Sequence, residues 1–253
     1  MKKFLKIFKI LLITILSIVL LLSITFIIYA NIYYHAKDVD DYLKTDEYVT
    51  VTETDKYISF MPNEGKAISG VIIYPGAKVE EKAYSEMMYD LAKLNIFAAI
   101  VKMPLRFSFL NPNGADDVIN DYKDKVNHFY IGGHSLGGVI AASYAKANED
   151  KLEGIIFLAS YPNDDLNDSS LWSLSIYGSN DYVLDRNSYA KAKNKLPNKN
   201  FEYVIEGGNH ANFASYGNQN LDGEATITNE KQINLTVLKI VEFITLKQLT
   251  LVI

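Results

Sequence analysis

A serine hydroxyl is a useful nucleophile at neutral pH only when an imidazole can take its proton and a carboxylate fixes that imidazole's tautomer. One serine in this chain has the surroundings that such chemistry needs. Ser135 lies in Gly133-His134-Ser135-Leu136-Gly137, after the apolar run 128–133 and before the small-residue run 136–147, which reads as a helix. A strand turning straight into a helix holds the residue at the bend in a strained backbone and exposes its hydroxyl. The close approach of strand and helix leaves no room for side chains two positions either side. The five-residue pattern alone also fits a plain glycine-rich turn. A phosphate-binding loop does not fit, because Gly138 and Val139 stand where Lys and Ser or Thr would be required.

The partners are sought downstream, in the order serine, acid, histidine. The chain has four histidines. His35 lies near the N-terminal apolar segment, His128 opens the strand before Ser135, and His134 neighbours Ser135 but is turned away if the serine stands alone at the apex. His210, in "VIEGGNHANF", is the one that follows Ser135 and sits in a loop just after a strand. For the acid, Asp181 in "SIYGSNDYVLD" comes three residues after a strand-ending glycine. Asp185 and Glu206 are rivals, and Asp185 suits the start of a helix better. An oxyanion formed at Ser135 needs backbone N–H donors. Leu136, at the helix start, and Ala77, in "YPGAKVE", are the candidates. Met103, Tyr161 and Phe213 are candidates for the wall of a substrate pocket, although each is equally suited to packing. Lys78 is a candidate for its entrance.

The elements that must position these residues alternate along the chain. "YVTVTET" (48–54) and "KYISFMP" (56–62) read as two strands joined by a short turn. "SGVIIYPG" (69–76) is a continuous apolar run, expected of a strand buried on both faces of a parallel sheet. Tyr84, Met87, Met88, Leu91 and Leu94 make one apolar helix face ending at Asn95. Strands follow at 96–101, 128–133, 154–160, 172–178 and 201–207, with helices at 114–123, 136–147, 185–196 and around Ile233 to Ile244. This is an α/β pattern, a mostly parallel central sheet with helices on both faces, and reactive residues belong in loops at the carboxyl ends of its strands. Only 11 residues, 161–171, separate the strand ending at Ser160 from the next, too few for a large cap domain.

Apolar residues form 49% of the chain and charged residues 22%, which argues against disorder. There is no cysteine, so disulfides, thiolate metal sites and cysteine nucleophiles are excluded. No H-E-x-x-H or similar metal motif occurs, and serine-based acyl transfer calls for no cofactor. Lys2, Lys3, Lys6 and Lys9 precede the uncharged span 10–28, long enough for a transmembrane helix. Residues 1–34 thus read as a membrane anchor and 35–253 as a catalytic domain. The lysines favour a cytoplasmic N-terminus and an extracytoplasmic domain in a single-pass protein. The alternative is secretion after signal cleavage, but the apolar span is long for a signal peptide and Ile28-Tyr29-Ala30 is a poor cleavage site. Beyond residue 35 the net charge is −9, which disfavours nucleic acid as a partner.

The stretches "GVIIYPGAKVE", "IVKMPL", "IGGHSLGG", "ASYPNDDL", "SIYGSNDYVL", "EGGNHANFASYG" and "DGEATIT" together resemble the α/β-hydrolase superfamily, and within it the α/β-hydrolase fold-5 group. The resemblance covers roughly residues 69 to 230. It implies a serine hydrolase with Ser135, Asp181 and His210 as catalytic triad, acting on a small-molecule carboxylic ester. Two alternatives stay open at this level. One is a catalytically silent surface domain that binds a ligand or partner in the same pocket. The other is an acyltransferase using the same triad. If the N-terminal helix is an uncleaved anchor, the full-length chain pellets with membranes and protease outside intact cells reaches the domain after residue 35. Release of a mature form lacking residues 1–30 would contradict this.

Overall fold

The structure is a computed structural model that describes residues 2–63 and 66–251. It divides into two units, Met1–Tyr33 and Tyr34–Ile253. The first contains one helix, α1 (Lys2–Ala30), most of whose apolar side chains are exposed and which is long and apolar enough to cross a membrane. It begins well before residue 10. Phe4, Leu5 and the lysines are adequate helix formers, and no proline or glycine interrupts them.

The second unit is built on eight strands: β1 (Val49–Glu53), β2 (Tyr57–Pro62), β3 (Ala67–Tyr74), β4 (Ile96–Val101), β5 (Val126–His134), β6 (Gly154–Leu158), β7 (Trp172–Gly178) and β8 (Lys199–Ile205). They form one sheet in the order β1-β2-β4-β3-β5-β6-β7-β8. β1 pairs antiparallel with β2 and β2 antiparallel with β4, while β4 through β8 run parallel. The connecting helices are α2 (Ser85–Lys93), α3 (Ala115–Tyr122), α4 (Leu136–Ala147), α5 (Arg186–Ala192) and α6 (Asn229–Leu251).

The uninterrupted apolar run of β3 is explained by burial on both sides. Val71 and Ile73 pack in one core with Met87 and Leu91 of α2 and Ile233, Val237 and Ile240 of α6. Ile72 and Tyr74, one residue out of phase, pack in a second core with Val118 of α3 and Ala141, Ala142 and Ala145 of α4. The parallel strands therefore end together, and the segments that follow β3 to β8 share one edge of the sheet. Residues 159–171, between β6 and β7, form an irregular loop with no helix or strand.

Several element ends differ from the sequence expectation, among them those of β3, β5, β8 and α3 by one or two residues, and three others have a clear local reason. α2 stops at Lys93, and Asn95 turns to φ +61°, so Leu94 is swung outward and is 49% exposed. β6 ends at Leu158 because Ala159 adopts φ +47°. The helix at 185–196 is α over Arg186–Ala192 only, with Asp185 as its N-cap and a 3₁₀ turn at Lys193–Lys195. Two leucines on one expected helix face thus have different weight. Leu91→Ala is expected to cost about 2–5 kcal/mol and Leu94→Ala within about 0.5 kcal/mol, read from urea denaturation of the full chain.

Candidate active site

Ser135 is the residue at which β5 becomes α4. Its backbone sits at φ +52°, ψ −124°, a conformation that costs a residue with a side chain about 1–3 kcal/mol. A Cβ on Gly133 would collide with the backbone of Gly137 and Gly138, and one on Gly137 with the carbonyl oxygens of Tyr74 and Pro75. The glycines are required by close approach. The strained bend is held on both sides: Ser135 N–H donates to the Leu158 carbonyl at 3.0 Å, and the Ser135 carbonyl accepts from Ser160 Oγ at 2.7 Å and from Gly138 N–H at 3.0 Å.

The segment after β7 brings Asp181 to the same edge. Its Oδ1 accepts from the backbone N–H groups of Val183 and Leu184, at 2.9 and 2.8 Å. Its Oδ2 lies 2.9 Å from Nδ1 of His210, and both residues are buried. Asp185 is instead occupied by its capping bonds to Asn187 and Ser188, and Glu206 is exposed. The His210 loop is clamped from two sides. Asp222 accepts from His210 N–H and Ala211 N–H at 3.2 and 2.9 Å. Gln232, fully buried on α6, both accepts from Asn209 N–H and donates to its carbonyl. With Nδ1 directed at Asp181, His210 Nε2 is buried and has no hydrogen-bond partner among the described residues.

Ser135 and His210 line one cavity of about 240 Å³ together with Leu136, Val139, Ala159, Ser160, Tyr161, Val183, Leu184 and Asp185. Leu136 N–H is the first of α4 and has no acceptor within the helix. In the loop after β3, Gly76 N–H donates to Tyr84 Oη and Lys78 N–H to the Arg106 carbonyl, while Ala77 N–H between them has no partner among the described residues. A second cavity of about 530 Å³, lined by Asn209, Asn212, Gln219, Asp222 and Glu224, contains neither Ser135 nor His210. The smaller cavity is the one with a hydroxyl, a carboxylate-bound imidazole and the N-terminal end of a helix, the groups that acyl transfer requires.

Of the expected wall residues, Tyr161 lines the cavity, whereas Met103 and Phe213 do not. Met103 packs in the core beneath α3 and α4, and Phe213 is fully buried against the His134 ring at 5.8 Å between centroids. Apolar residues in post-strand loops were equally suited to either place, and burial claimed these two. Lys78 is also outside the cavity lining. His128 pairs with Glu153 and His35 with Glu80. His134 is buried, bonded through Nδ1 to Tyr84 and through Nε2 to the His210 carbonyl. The supporting roles of Tyr84, Ser160, Asp222 and Gln232 have no signature in the spacing of chemical residues, though Asp222 falls inside "DGEATIT".

Burial, and next the nearby His210, hold the His134 imidazole well below the ordinary range for histidine, so the folded protein keeps it neutral. The unfolded chain takes up a proton near pH 6.5 that the folded chain refuses, so this contribution to stability is complete above that pH and lost on acidification below it. From pH 6.5 to 5.5 the full chain is expected to lose about 1 kcal/mol more stability than His134→Gln, measured by urea unfolding at each pH. Parallel pH slopes for the two proteins would show that His134 is protonated in the fold.

The sequence model of the alpha/beta hydrolase family matches residues 70–234. No curated protein matches the sequence. Among solved structures, Est1E from Butyrivibrio proteoclasticus superposes with a TM-score of 0.57 at 16% identity, over 79% of this chain and 99% of that one. The same protein with ferulic acid bound gives 0.58 at 14% identity, over 80% and 98%. A predicted CIB-like hydrolase from Thermoplasma acidophilum gives 0.53 at 15% identity, over 76% and 96%. At these identities the structural likeness concerns the fold.

Proposed function

Because the chain belongs to the alpha/beta hydrolase family, we propose that it is a serine hydrolase that cleaves a carboxylic ester through an acyl-enzyme. Ser135 is the nucleophile, His210 carries the proton and Asp181 orients His210. One observation carries this reading: His210, tied to Asp181 through Nδ1, has its other ring nitrogen buried without a partner among the described residues, and it lines the same cavity as a strained, glycine-flanked serine.

In the proposed cycle His210 Nε2 takes the Ser135 proton as Oγ adds to the ester carbonyl. The carbonyl oxygen becomes an oxyanion between the N–H groups of Leu136 and Ala77, where preorganised donors lower the barrier most. Collapse expels the alcohol, which leaves with the proton from His210. Water then repeats the sequence on the acyl-enzyme and releases the acid. Every step uses groups of this chain and water.

The substrate is a small ester with a short acyl group. The cavity, at about 240 Å³, is below the roughly 300–1,000 Å³ of sites for drug-sized ligands. The loop 159–171 is also too short to supply a cap that would bury a long chain. The ferulic acid bound to Est1E is in keeping with a small carboxylic acid as product. α1 is proposed as an uncleaved anchor that holds the domain at the outer face of a membrane.

On this proposal a fluorophosphonate probe labels the full-length protein at Ser135, and Ser135→Ala abolishes labelling and lowers kcat by about 10³-fold or more. Asp181→Asn costs about 10⁴-fold in kcat with KM little changed, because the wrong imidazole tautomer is favoured. Asp185→Asn costs far less. Along a series of p-nitrophenyl esters, kcat/KM is highest between acetate and hexanoate. Undiminished labelling of Ser135→Ala, or a preference for dodecanoate, would contradict the nucleophile and the short acyl site respectively.

A further inference from the structure

We propose that Tyr84 and His134 form a positioning bridge that ties the loop bearing Ala77 to the loop bearing His210, so that the oxyanion donor and the proton carrier are held in one geometry. The proposal rests on the reading that Ser135, His210 and Ala77 act as described above.

The bridge is a single chain of hydrogen bonds. Gly76 N–H donates to Tyr84 Oη at 2.9 Å. The phenol, accepting there, has its own proton to give, and His134 Nδ1 lies 2.8 Å away. A ring that accepts at Nδ1 and is held neutral carries its hydrogen on Nε2, and Nε2 is 3.1 Å from the His210 carbonyl oxygen. Each group thus donates once and accepts once in one direction, and Tyr84, His134 and His210 are all buried. The fit is close at both ends. A Cβ on Gly76 would lie 2.9 Å from His134 Nδ1 and 3.2 Å from Tyr84 Oη, and the His134 and His210 rings are 4.6 Å apart between centroids.

Its anchor points explain what it positions. Tyr84 ends the 3₁₀ turn Glu81–Tyr84 that leads into α2, so its hydroxyl is referred to the core. His134 is the last residue of β5, joined by a peptide bond to Ser135. Gly76 is the residue before Ala77. The side chain preceding the nucleophile therefore connects the two loops on which the developing charge and the proton depend. His134 does not line the cavity and both its nitrogens are engaged, so it is a positioning residue and not a second base. Misplacement of donors by a fraction of an ångström costs transition-state stabilisation while leaving substrate binding largely intact.

The test uses the full-length protein in detergent. Tyr84→Phe removes only the hydroxyl. It is expected to lower kcat about tenfold with KM within about twofold, and to weaken a boronic acid, which mimics the tetrahedral intermediate, by a similar factor. His134→Leu removes both the acceptor for Tyr84 and the donor toward the His210 carbonyl. Combined with Tyr84→Phe, it is expected to be no more than about twofold worse than the worse single variant, since both interrupt the same chain. Independent multiplicative losses, or an unchanged kcat and boronate affinity in Tyr84→Phe, would overturn the bridge. ¹⁵N-histidine spectra decide the same point without turnover: His134 is expected as the Nε2–H tautomer, with its Nδ1 resonance moved by Tyr84→Phe. A His134 protonated on Nδ1 would overturn the bridge even in an active enzyme. Intact tautomer and coupling in a protein that neither labels at Ser135 nor cleaves esters would instead mark the failure of the proposed function.

Discussion

The functional edge of this domain depends on one crossing of backbones. β5 and α4 meet at Ser135 so closely that neither Gly133 nor Gly137 can carry a Cβ, and the end of β3 presses on Gly137 from the far side. A serine at φ +52° is unfavourable by itself. It persists because the surroundings leave no relaxed alternative: its N–H and C=O are taken by Leu158 and Ser160, and α4 is fixed by the alanines it packs beneath the sheet. The consequence is chemical. The hydroxyl and the N–H of Leu136, which has no acceptor within its helix, come to the cavity at the end of a helix whose dipole favours negative charge.

The remaining groups reach that point on loops, and loops are positioned only as well as they are tied. Asp181 is fixed by two backbone N–H bonds before it meets His210. The His210 loop is gripped by Asp222 and by Gln232 of α6, which brings the position of the imidazole back to a helix packed in the core. On the other side, the loop after β3 is tied to Tyr84 and to the Arg106 carbonyl, with Ala77 N–H left between. Catalytic geometry in the proposed reaction is thus a property of the cores on both faces of the sheet, transmitted through a few buried polar side chains.

Much of this was legible in the residue order. The continuous apolar run at β3 announced a strand buried on two faces, and β4 and β7 begin and end where their patterns do. Ser135, Asp181 and His210 were named from chain order and loop placement, and Asp181 and His210 are in contact. What was hidden depends on contacts between distant segments. Leu94 fits the helical period yet is exposed, because Asn95 reverses the chain just after it. Met103 and Phe213 have the composition of pocket walls but are taken by the core. His134, expected only to turn away from the site, is bonded to residues 50 and 76 positions away along the chain. No periodicity encodes such a pairing.

The central claim is that Ser135 adds to a carbonyl whose oxygen is received by Leu136 and Ala77 while His210 holds the proton. The most direct measurement is a crystal structure of the protein inactivated by a small organophosphonate, whose phosphorus reproduces the tetrahedral centre. The account predicts phosphorus bonded to Ser135 Oγ, the phosphonyl oxygen about 2.7–3.1 Å from the N–H groups of both Leu136 and Ala77, and His210 Nε2 facing Oγ with the Asp181 bond intact. Phosphorus on any other residue, or a phosphonyl oxygen turned away from Ala77 toward solvent, would contradict it.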